Sequence, residues 1–572
     1  MKYPAVALAI AAALPALTPQ IVFAQEDSDI EVVEVRGVRQ KLEQAGRLKD
    51  VIQKTEVLDQ AMIDNKNALS LSEAIQDEPG VRVSNECSMC GVKRVMLNGM
   101  KGEHTTILVD DLPTHTLISG FYAVDAIATT GVDRIEIARG AGASLIAPEA
   151  IGGTINIITK DAFENTATFD YAKGSHDFTA FKGSATGITE DGKTGITLIA
   201  QYDKQDQEDH DDNGVSEAPF QENQSYTARI SHDFNDYNNV QLRISKVNSE
   251  VFGGPMIGKL TNSIGSALSS FDGVDSQQLF TDNDVRKAFI GKPWETTEWI
   301  KTSRDEAYLK WLTEQNEDLT TEFAVSWAKH EQDSFYEGID YYADDEMIYL
   351  RGKFDYYLNE EHFLSFGMDS RQEEMRSDTQ ALSGVDTYVS DAFDYNTYGF
   401  FLQDVWTPND DLEISLALRL DKVEADFIDP QKPGTEIDET IFAPRIDVRF
   451  FHSGELTSRL SAGRGYRAPL SFFETDHGIL DAELGYQIEV QELERSISYN
   501  YSLSYEGEAL TATLSAATSQ VEHLAELSET EDGVPVLTQL DETARVTTLD
   551  FVAGYQATDN LLVNLSLERF IY

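Results

Sequence analysis

The residues best suited to metal binding or redox chemistry are Cys87 and Cys90, the only cysteines in the 572-residue chain. Two residues separate them in a C-S-M-C segment that also contains Met89. Thiolate and thioether sulfur favour soft metals such as Cu(I), so this segment could bind a metal ion. In an oxidising compartment the same pair would form a disulfide, which is our expectation, with metal binding as the alternative. Redox catalysis would need a thioredoxin-like βαβ context, which the surrounding sequence lacks.

A second set of candidates follows Pro113, where His115, Thr116, Phe121 and Tyr122 are close together. Histidine and tyrosine suit haem or metal chelates, although a loop histidine on a protein surface commonly has no such role. His477 is a further loop candidate, because functional residues concentrate on loops. The candidate ligand-binding residues are therefore Cys87, Met89, Cys90, His115, Thr116, Phe121, Tyr122 and His477.

An acidic segment at residues 209–214, D-H-D-D-N-G, resembles the first half of a calcium-binding loop. The twelfth position of that pattern is Phe220 instead of glutamate, and no helices are predicted on either side. A solvated acidic loop is therefore the favoured interpretation of this segment.

The elements that position these candidates begin with a mixed α/β domain at residues 38–160. Ser70 and Glu73 form a capping-box pattern that predicts a short helix ending near Pro79. Four strands are predicted at 95–97, 105–109, 133–137 and 152–159, with a turn at Asn98-Gly99 between the first two.

From residue 161 to the end, apolar and polar residues alternate in successive segments. Between Leu412 and Leu420, for example, every second residue is Leu or Ile. A period of two places the apolar side chains on one face of a strand. Segments of roughly 10 residues with frequent tyrosine favour a membrane β-barrel over a soluble sandwich or propeller, which also alternate.

The N-terminus and the overall charge limit where the protein can work. Residues 1–24 have an apolar run followed by a small-residue site at Ala24, which predicts a cleaved export signal. The run is shorter than the roughly 20 apolar residues of a spanning helix.

The 45 Lys and Arg against 99 Asp and Glu give a net charge of −54, which excludes nucleic acid as a partner. Solubility explains this charge most simply, and cation collection by acidic loops is the alternative.

Several segments resemble motifs of the TonB-dependent outer-membrane receptor family. The resemblance is carried by Pro79-Gly80-Val81, by the I-L-V-D strand before Pro113, by R-I-E-I-A-R-G at 134–140, by A-I-G-G-T-I-N-I-I-T-K at 150–160 and by G-Y-R-A-P at 465–469. Residues 30–35, I-E-V-V-E-V, are similar to a TonB box. The chain departs from the family pattern at Asp111, where glycine is usual, and at 146–149, where a Tyr-Gly pair is common.

The resemblance implies a transmembrane β-barrel, with 22 antiparallel strands in the family, and an N-terminal α/β plug domain inside it. The implied organisation is a signal peptide at 1–24, a TonB-box segment at 25–37, the plug at 38–160 and the barrel at 161–572. It also implies outer-membrane lipids, a small extracellular ligand and the inner-membrane TonB protein as partners. TonB would bind the residues of the box, Ile30, Glu31, Val32, Val33, Glu34 and Val35.

The number of strands is a further expectation. Only about seventeen alternating segments follow residue 160, and single-chain bacterial barrels have even numbers. We therefore expect a C-terminally incomplete barrel with two open strand edges, which should not transport. The terminal Tyr572 is the contrary sign, because a final aromatic residue is a common assembly signal of outer-membrane proteins.

The function implied by the family is active import of a scarce ligand across the cell outer membrane, such as an iron-siderophore, haem, another chelated metal or a cobalamin-like molecule. A glycan importer of the same family and a binding-only surface receptor are the alternatives. No cofactor and no enzymatic activity are expected, since no segment gathers a nucleophile, a base and an acid into a recognisable motif.

Overall fold

The computed structural model describes residues 52, 55–87, 91–118, 124–142, 145–212, 215–254, 298–336, 339–381, 392–428, 436–470, 487–529, 535–558 and 560–572. The predicted export signal at 1–24 and the predicted TonB box at 30–35 lie outside these residues. Met89, Cys90, Phe121, Tyr122 and His477 lie outside them as well.

The N-terminal domain is a small mixed α/β unit. Its elements are β1 (Thr55–Asp59), α1 (Gln60–Asn65), α2 (Leu71–Ile75), β2 (Val81–Cys87), β3 (Val92–Leu97), a 3-10 turn (Gly102–His104), β4 (Thr105–Val109), β5 (Leu112–Pro113), β6 (Val132–Arg139) and β7 (Gly153–Thr159). Five strands form one sheet in the order β1-β6-β7-β4-β5, and β2 pairs with β3 separately. Strands β4 and β7 are parallel, while the other pairs of the sheet are antiparallel. The four predicted strands are confirmed.

The predicted capping box at the start of α2 is confirmed. The Ser70 hydroxyl accepts a hydrogen bond from the Glu73 backbone N–H at 3.3 Å. The Glu73 carboxylate in turn accepts one from the Leu69 N–H at 2.7 Å. The helix packs its apolar face, Leu71 and Ile75, into a core of branched aliphatic residues from the sheet. These two contributions, capping and burial, hold a helix that is too short to be stable alone.

In the described part of the chain from residue 166 onwards, seventeen strands form a closed barrel. The strands are β8 (Thr166–Lys173), β9 (Thr179–Ile188), β10 (Thr194–Gln205), β11 (Phe220–Asn235), β12 (Asn238–Gly253), β13 (Glu298–Glu314), β14 (Leu319–Tyr336), β15 (Ile339–Tyr357), β16 (His362–Ala381), β17 (Phe393–Asn409), β18 (Leu412–Phe427), β19 (Glu436–Phe451), β20 (Leu456–Arg467), β22 (Glu494–Glu506), β23 (Leu510–Glu522), β26 (Ala544–Thr558) and β27 (Leu561–Ile571). The short strands β21 (Gln487–Ile488), β24 (Ala525–Glu529) and β25 (Pro535–Gln539) form a separate three-stranded sheet, here called the loop sheet.

The closure corrects one expectation and confirms another. The predicted number of seventeen strands is confirmed, but the two open edges are not, because β27 and β8 are neighbours in the ring. Consecutive strands of the chain pair antiparallel around the ring, so an odd number makes β8 and β27 run in the same direction. Closure pairs the backbone groups that an open edge would leave exposed to lipid.

The two ends of the barrel differ in the length of their connections. One end has turns of a few residues, as at 236–237, 315–318, 358–361 and 410–411. The other end carries the longest connections of the barrel, including 254–297, 468–493 and 523–543. These ends are called the short-turn end and the long-loop end below. The loop sheet lies in the last two of these long connections.

The alternation in the sequence corresponds to the two faces of the barrel wall. In β18, the side chains of Leu416, Leu418 and Leu420 are exposed on the outside, whereas Arg419 and Asp421 are buried in the lumen. An apolar outer face and a polar lumen are typical of a membrane barrel and opposite to a soluble sandwich. No helix among the described residues is long and apolar enough to cross a membrane.

Candidate functional site

A cavity of about 110 Å³ separates the N-terminal domain from the inner barrel wall. Its barrel side is formed by Arg371 of β16, Tyr395 of β17 and Arg467 of β20. Tyr395 is near the start of a strand that follows a long connection, and Arg467 ends a strand that precedes one. The cavity therefore lies toward the long-loop end. Its other lining residues are Arg94, Val95, Gly102, Glu103, Thr105, Thr106, Ile107, Pro113, His115, Thr116, Leu117, Val124, Glu149 and Ala468.

Arg371 makes several polar contacts at this cavity. Its Nη1 donates to a Glu149 carboxylate oxygen at 2.8 Å, and its Nε donates to Glu373 at 2.8 Å. The other Glu149 oxygen accepts a hydrogen bond from the Tyr395 hydroxyl at 2.7 Å. The guanidinium also lies 5.7 Å from the centre of the Tyr395 ring, within cation–π range. The arginine thus links the N-terminal domain to two neighbouring barrel strands.

The segment after Pro113 is held to the barrel through its backbone. The Leu117 N–H donates to Glu373 at 2.7 Å, and the Pro113 carbonyl accepts from the Ser326 hydroxyl at 2.6 Å. The Ile118 N–H donates to Asp345 at a longer 3.4 Å. Side chains of the segment add to these backbone contacts, because Thr116 hydrogen-bonds to Asp345 and Ile118 packs in a buried apolar cluster with barrel residues.

His115 is buried at the cavity instead of exposed on a surface loop. Only 9% of the residue is accessible, and its Nδ1 lies 3.1 Å from the Thr114 hydroxyl. Burial, reinforced by the positive charge of Arg304, lowers the pKa of His115 to about 3. The imidazole is therefore neutral at physiological pH. The ring has charges of both signs beside it, since the Glu306 carboxylate lies 3.9 Å from its Nε2 and Arg304 is also nearby.

A second buried ion-pair group borders the cavity at Arg467. Its guanidinium lies 3.3 Å from Glu494, which also faces His104 Nε2 at 3.2 Å. On the opposite side of the cavity, Arg94 donates to Glu103 at 3.0 Å. The cavity thus has three guanidinium groups in its lining, two of them from the barrel and one from the N-terminal domain.

The structure shows the surroundings of only some of the ligand-binding candidates named from the sequence. His115 and Thr116 both line the cavity. Cys87 ends β2, and its side chain is outside the described set, so the disulfide with Cys90 stays a prediction. Sequence reasoning missed Arg94, Glu149, Arg371, Tyr395 and Arg467. The departure from the family pattern at 146–149 was the one available signal, since it contains Glu149.

The acidic segment at 209–214 lies in the connection between β10 and β11. Carboxylate oxygens of Asp209, Asp211 and Glu217 are within 4.8 Å of one another. The Glu217 carboxylate also accepts a hydrogen bond from the His210 N–H at 2.6 Å, which contributes to holding the loop together. Exposed acidic groups of this kind are common without a bound ion, so the solvated loop remains the favoured interpretation.

A plug-like α/β domain that fills a wide barrel and borders a cavity facing its long loops defines an outer-membrane receptor architecture. Residues 47–154 match the family model "TonB-dependent Receptor Plug Domain", and residues 154–572 match "TonB dependent receptor-like, beta-barrel". The chain belongs to the TonB-dependent receptor family. The N-terminal domain is called the plug from here on.

Similarity to individual proteins is weaker than the similarity to the family. The vitamin B12 transporter BtuB of Vibrio cholerae is 31% identical over 206 residues, covering 36% of this chain and 33% of the relative. BtuB of Photobacterium profundum is 32% identical over 200 residues, covering 35% of this chain and 32% of the relative. The alignment thus spans about a third of the length of the curated relatives that the chain matches.

Solved structures share the fold at low sequence identity. The siderophore receptor PirA from Acinetobacter baumannii superposes with a TM-score of 0.68 at 13% identity, covering 90% of this chain and 80% of that one. The copper transporter OprC gives 0.68 at 15% identity, covering 91% and 78%. Identities this low establish the architecture alone.

Proposed function

We propose that this protein resides in the cell outer membrane and actively imports a scarce small ligand, using energy delivered by the inner-membrane TonB protein. The observation that carries the proposal is the attachment of the plug to the barrel wall. Buried side chains of β13, β15, β16, β18 and β19 all contact plug backbone or side-chain groups. A ligand can pass only when such contacts are exchanged.

The contacts are of a kind that needs work to disrupt. Arg351, Arg419 and Arg445 each donate a hydrogen bond to a plug carbonyl, at 2.6 to 3.0 Å. Separating a buried charge from its hydrogen-bond acceptor costs several kcal/mol unless another partner replaces it. Passive diffusion of a large ligand through this lumen is therefore disfavoured. The predicted TonB box at 30–35 would supply the point where force is applied, by adding a strand to the sheet of TonB.

The evidence for the class of ligand is weaker than the evidence for the transport mechanism. The partial similarity to vitamin B12 transporters makes a cobalamin-like molecule one candidate, and iron-siderophores, haem and other chelated metals are the others. The residues proposed to contact the ligand are Cys87, Met89, Cys90, His115, Thr116, Phe121, Tyr122 and His477. His115 and Thr116 among them border the cavity.

The mechanism is tested by preventing strand addition at the predicted TonB box. Proline lacks a backbone N–H and cannot continue a β-ladder, so Val33→Pro should abolish energised uptake. Val33→Thr, which keeps a β-branched side chain, is the matched control. We expect Val33→Pro cells to bind labelled cyanocobalamin or a labelled ferric siderophore at the surface at the wild-type level, while accumulating none.

The alternatives give different results in the same experiment. A binding-only receptor would show no energised accumulation in wild type and no difference between Val33→Pro and Val33→Thr. A glycan importer would accumulate a labelled oligosaccharide, and neither cyanocobalamin nor the ferric siderophore. Metal content and free thiols measured on the purified protein, with Cys87→Ser and Cys90→Ser for comparison, would separate the predicted disulfide from a soft-metal site.

A further inference from the structure

Arg371 lies where two separate plug segments meet the barrel wall. Through Nη1 it contacts Glu149 in the loop between β6 and β7. Through Nε and Nη2 it contacts Glu373, at 2.8 and 2.5 Å, and Glu373 accepts the Leu117 N–H from the segment after β5. One guanidinium group therefore holds the plug at two places that are more than thirty residues apart in the chain.

The two carboxylates differ in their access to the cavity. Glu149 and Arg371 both line it, whereas Glu373 does not. Glu373 is also the more deeply buried of the two acids, with 1% of the residue accessible. A group that enters the cavity thus meets the Glu149 side of the guanidinium, while the Glu373 side is shielded. Glu149 also keeps a second partner, the Tyr395 hydroxyl at 2.7 Å, when its contact with Arg371 is lost.

The cavity brings arginine side chains together in an acidic protein. The chain carries a net charge of −54, yet this cavity is lined by three guanidinium groups, of Arg94, Arg371 and Arg467. The lining carboxylates are Glu103 and Glu149, and His115 is neutral because burial lowers its pKa to about 3. Glu373 and Glu494, behind the lining, pair with Arg371 and Arg467, so each guanidinium group already has an acidic partner and a ligand carboxylate has to compete with one. Guanidinium groups bind carboxylates through charge-assisted hydrogen bonds.

The size of the cavity limits what it can hold. A volume of about 110 Å³ accommodates several water molecules, since each needs on the order of 10–15 Å³ by this measure. A carboxylate group or a small aromatic acid fits this space, but an entire siderophore or cobalamin does not. The cavity is thus suited to one anionic group of a larger ligand whose body remains on the side of the long loops.

We infer that the cavity receives a carboxylate of the imported ligand and that Arg371 is the residue that selects for it. The ligand carboxylate takes the place of Glu149 on Nη1, so Glu149 keeps only one of its two bonds to the wall, the one from the Tyr395 hydroxyl. Glu373 remains on the guanidinium, so the segment after β5 stays attached. The inference rests on the proposed import function, which supplies the reason for such a release.

Besides the Glu149–Tyr395 hydrogen bond and the packing of Ile146, the loosened loop keeps backbone contacts to the wall. The Leu145 carbonyl accepts from Arg419 at 2.6 Å, and the Pro148 carbonyl accepts from the Tyr466 N–H at 3.2 Å. These bonds do not depend on ligand charge. Loss of the Glu149–Arg371 pair therefore loosens the loop without detaching it, and carboxylate binding on its own is expected to produce a partial opening.

The test uses benzoate as the carboxylate probe and benzamide as its neutral isostere, with full-length protein purified in detergent at constant ionic strength. Binding is followed by titration, and loop opening by hydrogen exchange of peptides covering residues 145–152. Wild type should bind benzoate in preference to benzamide, and benzoate should accelerate exchange in this loop. In Glu149→Gln, which removes the competing charge, benzoate affinity should rise about tenfold, and in Arg371→Gln it should fall about tenfold or more.

A matched control separates recognition from general loosening of the plug. Glu322 is a buried acid that pairs with Arg351, and Arg351 likewise donates to a plug carbonyl, but neither residue lines the cavity. Glu322→Gln should therefore leave benzoate affinity unchanged. Opposite shifts in Glu149→Gln and Arg371→Gln support the inference. Parallel shifts, equal binding of benzamide, or a rise in Glu322→Gln as large as that in Glu149→Gln would overturn it.

Two separate measurements allow this inference to fail independently of the proposed function. Benzoate binding and loop exchange are measured on purified protein and need no TonB, whereas Val33→Pro tests energised uptake in cells. Should Arg371→Gln misfold, Glu149→Gln still decides the matter, because unchanged or weaker benzoate binding in that variant alone contradicts the inference.

Discussion

His104 Nε2 lies 3.2 Å from a carboxylate oxygen of Glu494, and this buried contact joins the plug to the long-loop end of the barrel. The same glutamate accepts the Ala525 N–H at 2.8 Å and lies 3.3 Å from Arg467. Ala525 is the first residue of β24 in the loop sheet. One side chain thus connects the plug, a cavity-lining arginine and the loop sheet. A movement of the loop sheet has a direct physical route to the plug.

Replacing Glu494 should loosen both elements that it joins. Glu494→Ala removes the acceptor for three buried groups, and an uncompensated loss of this kind costs about 3 kcal/mol. We expect faster hydrogen exchange in peptides covering 100–106 and 525–529. Glu494→Gln keeps an acceptor oxygen and should show a smaller effect. Unchanged exchange at 525–529 in Glu494→Ala would show that the loop sheet is held by its apolar packing alone.

The stability of the segment after β5 should fall in acid because of His115. The pKa of His115 is lowered from 6.5 to about 3, so between these values the unfolded chain binds a proton that the native state does not. The stability is fully present above pH 6.5 and is lost as the pH falls toward 3. At pH 4 the loss is up to about 3 kcal/mol. His115→Asn should remove this dependence, measured as hydrogen exchange of residues 113–118 at pH 7 and pH 4.

Glu136 should give the plug sheet the opposite pH dependence. Burial, together with the negative charge of Asp111, raises the pKa of Glu136 from 4.5 to about 7. The native state then binds a proton more tightly than the unfolded chain, so stability is present below pH 4.5 and is lost as the pH rises through 7. Glu136→Gln should resemble wild type at pH 4 and exceed it by up to about 3 kcal/mol at pH 8. Exchange in β6 and β7 measures this, and equal wild-type and variant values at pH 8 would contradict it.

Asp111, which stands where the family usually has glycine, should influence the pKa of Glu136. Asp111 has a φ of 64°, a left-handed conformation in which glycine is free of strain. Its carboxylate accepts a hydrogen bond from the Asn156 amide at 2.6 Å. Asp111→Gly removes the backbone strain at this position and also the hydrogen bond with Asn156. Because the two effects oppose each other, the free energy of unfolding should change by no more than about 1 kcal/mol. The pKa of Glu136 should fall in this variant. A repeat of the pH series would then show the loss of stability beginning at a lower pH.

Local patterns were sufficient to predict one helix and four strands of the plug and the number of strands in the barrel, but not α1, β1, β2 or β5. The Ser70 cap, the strand at 105–109 and the alternation at 412–420 depend on neighbouring residues and on a period of two, which a sequence displays directly. The positions of the candidate ligand residues were predictable only as loops. His115 was expected on a surface, but the barrel wall covers it, and that burial decides its charge state.

The sequence by itself thus determined the family, the order of plug and barrel, and the apolar outer face of strands such as β18, because those properties follow from short motifs and periodicity. The tertiary structure alone decided which charges meet at the cavity. Arg371 and Glu149 are 222 residues apart, and His104 and Glu494 are 390 apart. Such pairs form only when the barrel closes around the plug, and no local preference in the chain encodes which wall position faces which plug loop. The closure itself, with an odd number of strands, was likewise a property of the whole ring.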